Sequence, residues 1–153
     1  MFISVHSAIG VAVTSALGIH EPAMAFTVGW LLHYVADVVP HGDERLGSWA
    51  LRQCQPIRTM ALIFAADFLL AATSVTVIGL LTELTWPMVF AVAGSMVPDF
   101  LLGLEIFLGR RTLSWLTRFH VLMHKSIGFV YSAKYGLPLQ AGLAILIWFS
   151  YLS

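Results

Sequence analysis

The stretch "PIRTMALIFAADFLLAATSVTVIGLL", residues 56–81, carries two charged side chains, Arg58 near its start and Asp67 near its middle. As a helix it would extend about 39 Å at 1.5 Å per residue, more than a hydrocarbon core of about 30 Å requires. It is too long for a barrel strand, and an isolated apolar strand would leave backbone groups unpaired in lipid. The stretch therefore reads as a transmembrane helix.

Four more stretches extend this reading. The first runs from about Phe2 to Leu17 or Gly18 and is short; the second runs from about Ala23 to Val39 and stops beside Pro40. "WPMVFAVAGSMVPDFLLGLEIFLG" begins at Trp86 and contains Pro98, and "YGLPLQAGLAILIWFSYL" begins at Tyr135. Together they predict an all-α, multi-pass transmembrane bundle of five membrane-associated helices, forming a single domain over residues 1–153. "TRFHVLMHKSIGFVYSAKYG", residues 117–136, is expected to be a reentrant or surface helix, or a lid. Gly10, Gly29, Gly94 and Gly103 mark places where helices can approach closely.

Composition agrees with a membrane protein: 59% of residues are hydrophobic, 10% are charged and the mean hydropathy is +0.86. The first apolar stretch lacks a basic leader and holds His6 in its apolar part, which predicts a retained helix and not a cleaved signal. Eight basic and eight acidic residues give zero formal charge, and no basic groove is visible, so no nucleic acid is expected as a partner. A single cysteine, Cys54, offers no internal disulfide or redox pair.

Basic residues cluster in two loops, with Arg45, Arg52 and Arg58 in one and Arg110, Arg111, Arg118, Lys125 and Lys134 in the other. Glu21 and Glu83 lie near the turns on the opposite side. The asymmetry predicts a cytoplasmic N-terminus and cytoplasmic long loops, in a bacterial inner membrane. With that topology His6, the series from His33 to Asp43, Asp99, His120 and His124 all reach one membrane face.

These residues have the chemistry of a metal site. His33 and Asp37 are four residues apart and share a helix face, where an imidazole nitrogen and a carboxylate oxygen can ligate one divalent ion. His41 follows after Pro40, which ends or kinks the helix, and Gly42 gives the chain freedom to fold His41 and Asp43 back. His120 and His124 form a second one-turn pair. Asp99, after Pro98, is a ligand or a water-orienting base, and His6 is a further ligand unless Ser4 and Ser7 simply hydrogen-bond it. Asp67 lies too deep for the mouth and is expected to orient a histidine or pair across helices. Arg118 and Lys125 are suited to a phosphate or a lipid head group, or act as ordinary interfacial charges. Zinc fits the donor types best, as one or two ions.

"HSAIG" with His6, "HYVADVVPHGD", "GSMVPDF" and "HVLMHKS" together resemble the YdjM-like membrane-bound metal-dependent hydrolases. That resemblance implies a multi-pass helical hydrolase with ligand roles for His6, Asp37, His41, Asp99 and His124. This chain departs from the pattern after Asp99, where "FLLG" follows. There is a looser similarity to the helical zinc-dependent phospholipase C group, in which histidines and aspartates converge from several helices.

The sequence thus predicts a metal-dependent hydrolase acting on a phosphoester or lipid-linked substrate at the cytoplasmic face, with membrane lipids around it. Asp99 or Asp43 would orient the water and move its proton. A membrane metal-binding or transport protein needs the same ligands plus a polar path, for which Asp67 and Thr73 to Thr76 are the best stepping stones in mostly apolar outer halves. A structural protein whose histidines close a compact bundle is the third alternative.

Overall fold

A computed structural model describes residues 1–42, 49, 52–108, 114–127 and 132–153. Among the described residues the fold is all-α, with six helices: α1 (Ile3–Ala16), α2 (Pro22–Val38), α3 (Pro56–Leu81), α4 (Trp86–Leu108), α5 (Ser114–Lys125) and α6 (Ala133–Leu152).

Local sequence explains the limits of α2. The Glu21 side chain accepts from Met24 N at 2.6 Å and Pro22 occupies the first turn, where its missing N–H costs nothing. At the other end Val39 is extended, with φ −73° and ψ 122°, as the residue before a proline prefers. Gly42 then takes a φ of +83°, a left-handed conformation that turns the chain directly after His41.

α1 sits at the centre, packed against α2, α3, α4 and α6. It buries nine of its 14 residues, whereas α3 buries Ala71 and Ile78 and α6 buries Gly136 and Gln140. The remaining faces of α3 and α6 are mostly apolar and exposed or half-buried, a surface that lipid covers. α3, α4 over Trp86–Glu105 and α6 are long and apolar enough to cross a membrane. The chain is an integral membrane protein with several spans.

Three of the five expected membrane-associated helices, α3, α4 and α6, thus have the length and apolarity of a full span. α1, with 14 residues, is shorter than the usual span and α2, with 17, stands at its lower limit; one begins beside the polar cluster and the other ends in it. The remaining helix, α5, overlaps the region 117–136 expected to form a surface helix or lid and begins three residues earlier, at Ser114. One face of it holds the buried Leu116 and His120, while Trp115, Arg118, Phe119, Leu122 and Lys125 are exposed.

α2 and α4 meet backbone to backbone. A Cβ on Gly29 would lie 2.2 Å from the Ala91 carbonyl oxygen, and one on Gly94 would lie 2.1 Å from that of Phe26. Gly103, expected to serve the same purpose, has nothing within 4 Å of its Cβ position. The contact places His33 and Asp99, each about one turn further along, opposite one another. Gly94→Val should cost at least about 1–3 kcal/mol through overpacking against backbone, read as a lower Tm in detergent. Gly103→Ala should change stability by less than about 0.5–1 kcal/mol; equal Tm values for the two variants would contradict the close approach.

Candidate metal centre

Asp37 is the hub of the polar cluster. Its Oδ1 lies 3.2 Å from His6 Nε2 and 3.9 Å from His41 Nε2. Its Oδ2 lies 3.1, 3.3 and 3.2 Å from the Nε2 atoms of His33, His120 and His124. Asp99 Oδ1 completes the group, 3.8 Å from His33 Nε2 and 3.6 Å from His120 Nε2. Residues from α1, α2, α4, α5 and the turn after α2 therefore meet at one point. The sequence-predicted set His6, His33, Asp37, His41, Asp99, His120 and His124 is brought together in full; Asp43, predicted as a water-orienting base, lies outside the described residues.

The cluster is deeply buried. His6, His33, Asp37 and His41 are each 1% exposed and His120 is 2% exposed, while the side chains of His124 and Asp99 keep 17% and 19%. An ionised carboxylate in such a place must be compensated. The Met1 α-ammonium donates to Asp37 Oδ1 at 2.7 Å. Oδ2 instead faces three ring nitrogens.

Two histidines have their tautomers set by the backbone. His33 Nδ1–H donates to the Ser95 carbonyl at 2.8 Å, and His41 Nδ1–H donates to the Val39 carbonyl at 2.6 Å. A carbonyl can only accept, so each Nδ1 carries the proton; His33 Nε2 then turns toward Asp37, and His41 Nε2 accepts from the Met1 α-ammonium at 2.5 Å. His6 Nε2, His33 Nε2 and Asp37 Oδ2 are buried and make no hydrogen bond. His33 Nε2 faces a carboxylate oxygen at 3.1 Å, a contact that either a proton on the ring or a cation between the two atoms satisfies.

A proton on every ring would place five positive charges in one dry pocket. Burial opposes this directly at His120: desolvation holds its imidazole down to about 3, although the Asp37 carboxylate pulls the other way. A neutral ring is the form that ligates metal. The 3.1–3.3 Å approaches to Asp37 also match the donor–donor edge of about 3.3 Å in a tetrahedral site with bonds of about 2.0–2.1 Å. Three sets of donors, His6/His33/Asp99, His33/Asp37/His120 and Asp37/His41/His124, each lie within 4.8 Å of one another. Geometry and donor chemistry fit a divalent ion.

A second set of contacts holds the cluster in place. Phe2, the N-cap of α1, provides no side-chain cap, so the first-turn amides need acceptors from elsewhere. Asp67, from α3, accepts from Ile3 N at 2.6 Å, Ser4 N at 3.2 Å and Ser4 Oγ at 2.8 Å. Gln140, from α6, accepts from Phe2 N at 2.7 Å and donates through Nε2 to the His41 carbonyl at 2.8 Å. One turn earlier, a Cβ on Gly136 would lie 2.1 Å from that same carbonyl oxygen, so only glycine allows α6 this close. Asp67 thus pairs across helices as expected, with α1's backbone as its partner. Ser7 Oγ donates to the Ile3 carbonyl at 2.8 Å, and neither Ser4 nor Ser7 bonds His6.

Gln140 was missed by the sequence reading, although a lone amide in "LPLQAGLAIL" is a polar group placed in an apolar helix and needs a partner. α5 is fixed over the cluster by a hydrogen bond from Thr117 Oγ1 to Glu105 and by an edge-to-face contact of Tyr34 with Phe119, 4.9 Å between centroids.

Comparison with protein-family models, curated proteins and solved structures finds no match for this chain. The resemblance to YdjM-like hydrolases and to helical zinc-dependent phospholipase C accordingly rests on the short motifs alone. Fold and site define the class: an integral-membrane helical protein whose buried histidines and aspartates can coordinate a divalent metal ion.

Asp67→Ala removes the acceptor of three contacts and should destabilise the protein by about 1.5–3 kcal/mol or more. Thr73→Ala, on the exposed side of the same helix, should cost less than about 0.5 kcal/mol. Chemical denaturation in detergent distinguishes them; equal midpoints would show that the α1 cap is not supplied by α3.

Proposed function

We propose that the protein is a metal-dependent hydrolase that acts on a phosphoester or lipid-linked substrate at the cytoplasmic surface of the membrane. The carrying observation is the Asp37 cluster, in which buried donor atoms on five histidines and two aspartates face one another and three of those atoms make no hydrogen bond. His6, His33, Asp37, His41, Asp99, His120 and His124 would hold the metal, with zinc suited to the nitrogen-rich set. When bound, a divalent ion supplies Lewis acidity, polarising a substrate oxygen and making water more acidic.

The remaining work falls to the chain. Asp99 has the most exposed side chain among the donors and stands 3.8 and 3.6 Å from His33 and His120 Nε2. It is therefore the group to accept a proton from the attacking water and return it to the leaving oxygen. Asp43, which follows Gly42 in sequence, is proposed as a second such carboxylate. Arg118 and Lys125 are exposed on α5, the helix that carries His120 and His124, and neutralise a phosphate approaching from the interface.

Lipid linkage is supported by two features. α5 combines these cations with exposed Trp115, Phe119 and Leu122, the pattern of a helix lying in the membrane interface. A shallow crevice lined by Pro98, Leu101, Leu102, Leu116 and Thr117 ends at His120 and offers an apolar wall beside the donors. The concentration of basic residues in the loops on this side supports a cytoplasmic orientation.

The test is metal-dependent turnover by the full chain in detergent, stripped with chelator and reloaded with zinc, against soluble phosphodiesters and short-chain phospholipids. Asp99→Asn is expected to lower kcat about 10²- to 10⁴-fold and to weaken metal retention without abolishing it. Asp37→Asn is expected to lose both. No metal uptake would overturn the reading; uptake without hydrolysis of any phosphoester would make the protein a metal-binding or transport protein instead.

A further inference from the structure

The number of donors exceeds what a single ion can use. Zinc in protein sites accepts about four ligands and other divalent transition ions up to about six, yet seven side chains converge here. Two of the donor sets, His6/His33/Asp99 and Asp37/His41/His124, have no residue in common, and each is compact enough for its own ion. A neutral imidazole offers one lone pair and serves one ion, whereas a carboxylate offers two oxygens and can serve two.

Asp37 is the carboxylate that stands between the sets. His6 and His41, one from each set, face its Oδ1 at 3.2 and 3.9 Å, and His33 and His124, again one from each, face its Oδ2 at 3.1 and 3.2 Å. The third set, His33/Asp37/His120, overlaps both. His120 Nε2 lies 3.3 Å from Asp37 Oδ2, 3.6 Å from Asp99 Oδ1 and 3.0 Å from His124 Nε2, so it completes either shell.

Building on the metal reading above, we infer that the centre holds two divalent ions bridged by Asp37, with His6, His33 and Asp99 on one and His41 and His124 on the other. Charge then selects the substrate. With the histidines neutral and the Met1 ammonium beside Asp37, one divalent ion exceeds the charge of the two carboxylates by one, and two ions exceed it by three, in a largely buried pocket. An anionic phosphate, whose oxygens can span both ions, supplies the missing charge; a neutral ester does not. The substrate class is therefore a phosphoester anion.

The experiment is metal analysis of the full chain in detergent, loaded with zinc or manganese and freed of excess ion, combined with electron paramagnetic resonance of the manganese form. Two equivalents per chain and an exchange-coupled manganese pair, as expected for ions about 3.5–4 Å apart, are the predicted results. His124→Ala, at the more exposed edge of the cluster, should reduce the content from two equivalents to one and leave a single uncoupled ion. Asp37→Glu should restore part of the coupling that Asp37→Asn abolishes. One equivalent in the unmodified chain, or two without coupling, would overturn the bridged pair while leaving a metal site in place. No metal at all would overturn the metal reading, and a coupled pair without hydrolysis would overturn only the enzymatic one.

Discussion

A carboxylate buried to 1% exposure inside an apolar helical bundle is the constraint around which this protein is built. Asp37 cannot stay ionised there without positive charge or strong donors, and cannot be abandoned without a large desolvation penalty. The neighbouring elements answer that need. α1 brings His6, α4 brings Asp99 and the Ser95 carbonyl that orients His33, and α5 brings His120 and His124. The glycine contact between α2 and α4 has the same consequence, since only a backbone approach so close puts both carboxylate-bearing helices around one point.

Much of this was legible in the sequence because it is written in local terms. Residues 56–81 announce a membrane helix by length alone, Pro40 announces the end of α2, and the four-residue spacings of His33 with Asp37 and His120 with His124 fix shared faces. Topology brought the separate motifs to one end. The limits of the two central helices were legible as well, since the expected stretches from about Phe2 to Leu17 or Gly18 and from about Ala23 to Val39 lie within one or two residues of α1 and α2. Gly103 was not legible: its sequence setting resembles that of Gly94, and only tertiary placement shows that one meets backbone and the other meets nothing.

The supports of the site were the least legible part. A helix cap is ordinarily sought within a few residues of the helix start, where Ser, Thr, Asp or Asn would stand. Here the acceptors for α1 stand on other helices, and nothing in the residues around Phe2 points to Asp67 or Gln140. Both polar residues interrupt otherwise apolar helices, which signals a necessary partner without naming it.

That arrangement has a consequence for how the chain is assembled. The Ile3 amide bonds a side chain 64 residues downstream, and the Phe2 amide bonds one 138 residues downstream. The turn leading into His6 therefore acquires its last acceptor only after α6, the final helix of the sequence, has joined the bundle, and the same amide of Gln140 then ties down the His41 carbonyl. Local contacts can form each helix as it is made, but closing this turn needs contacts across nearly the full length of the chain. Closure of the turn that leads into His6 is thus coupled to the docking of α6.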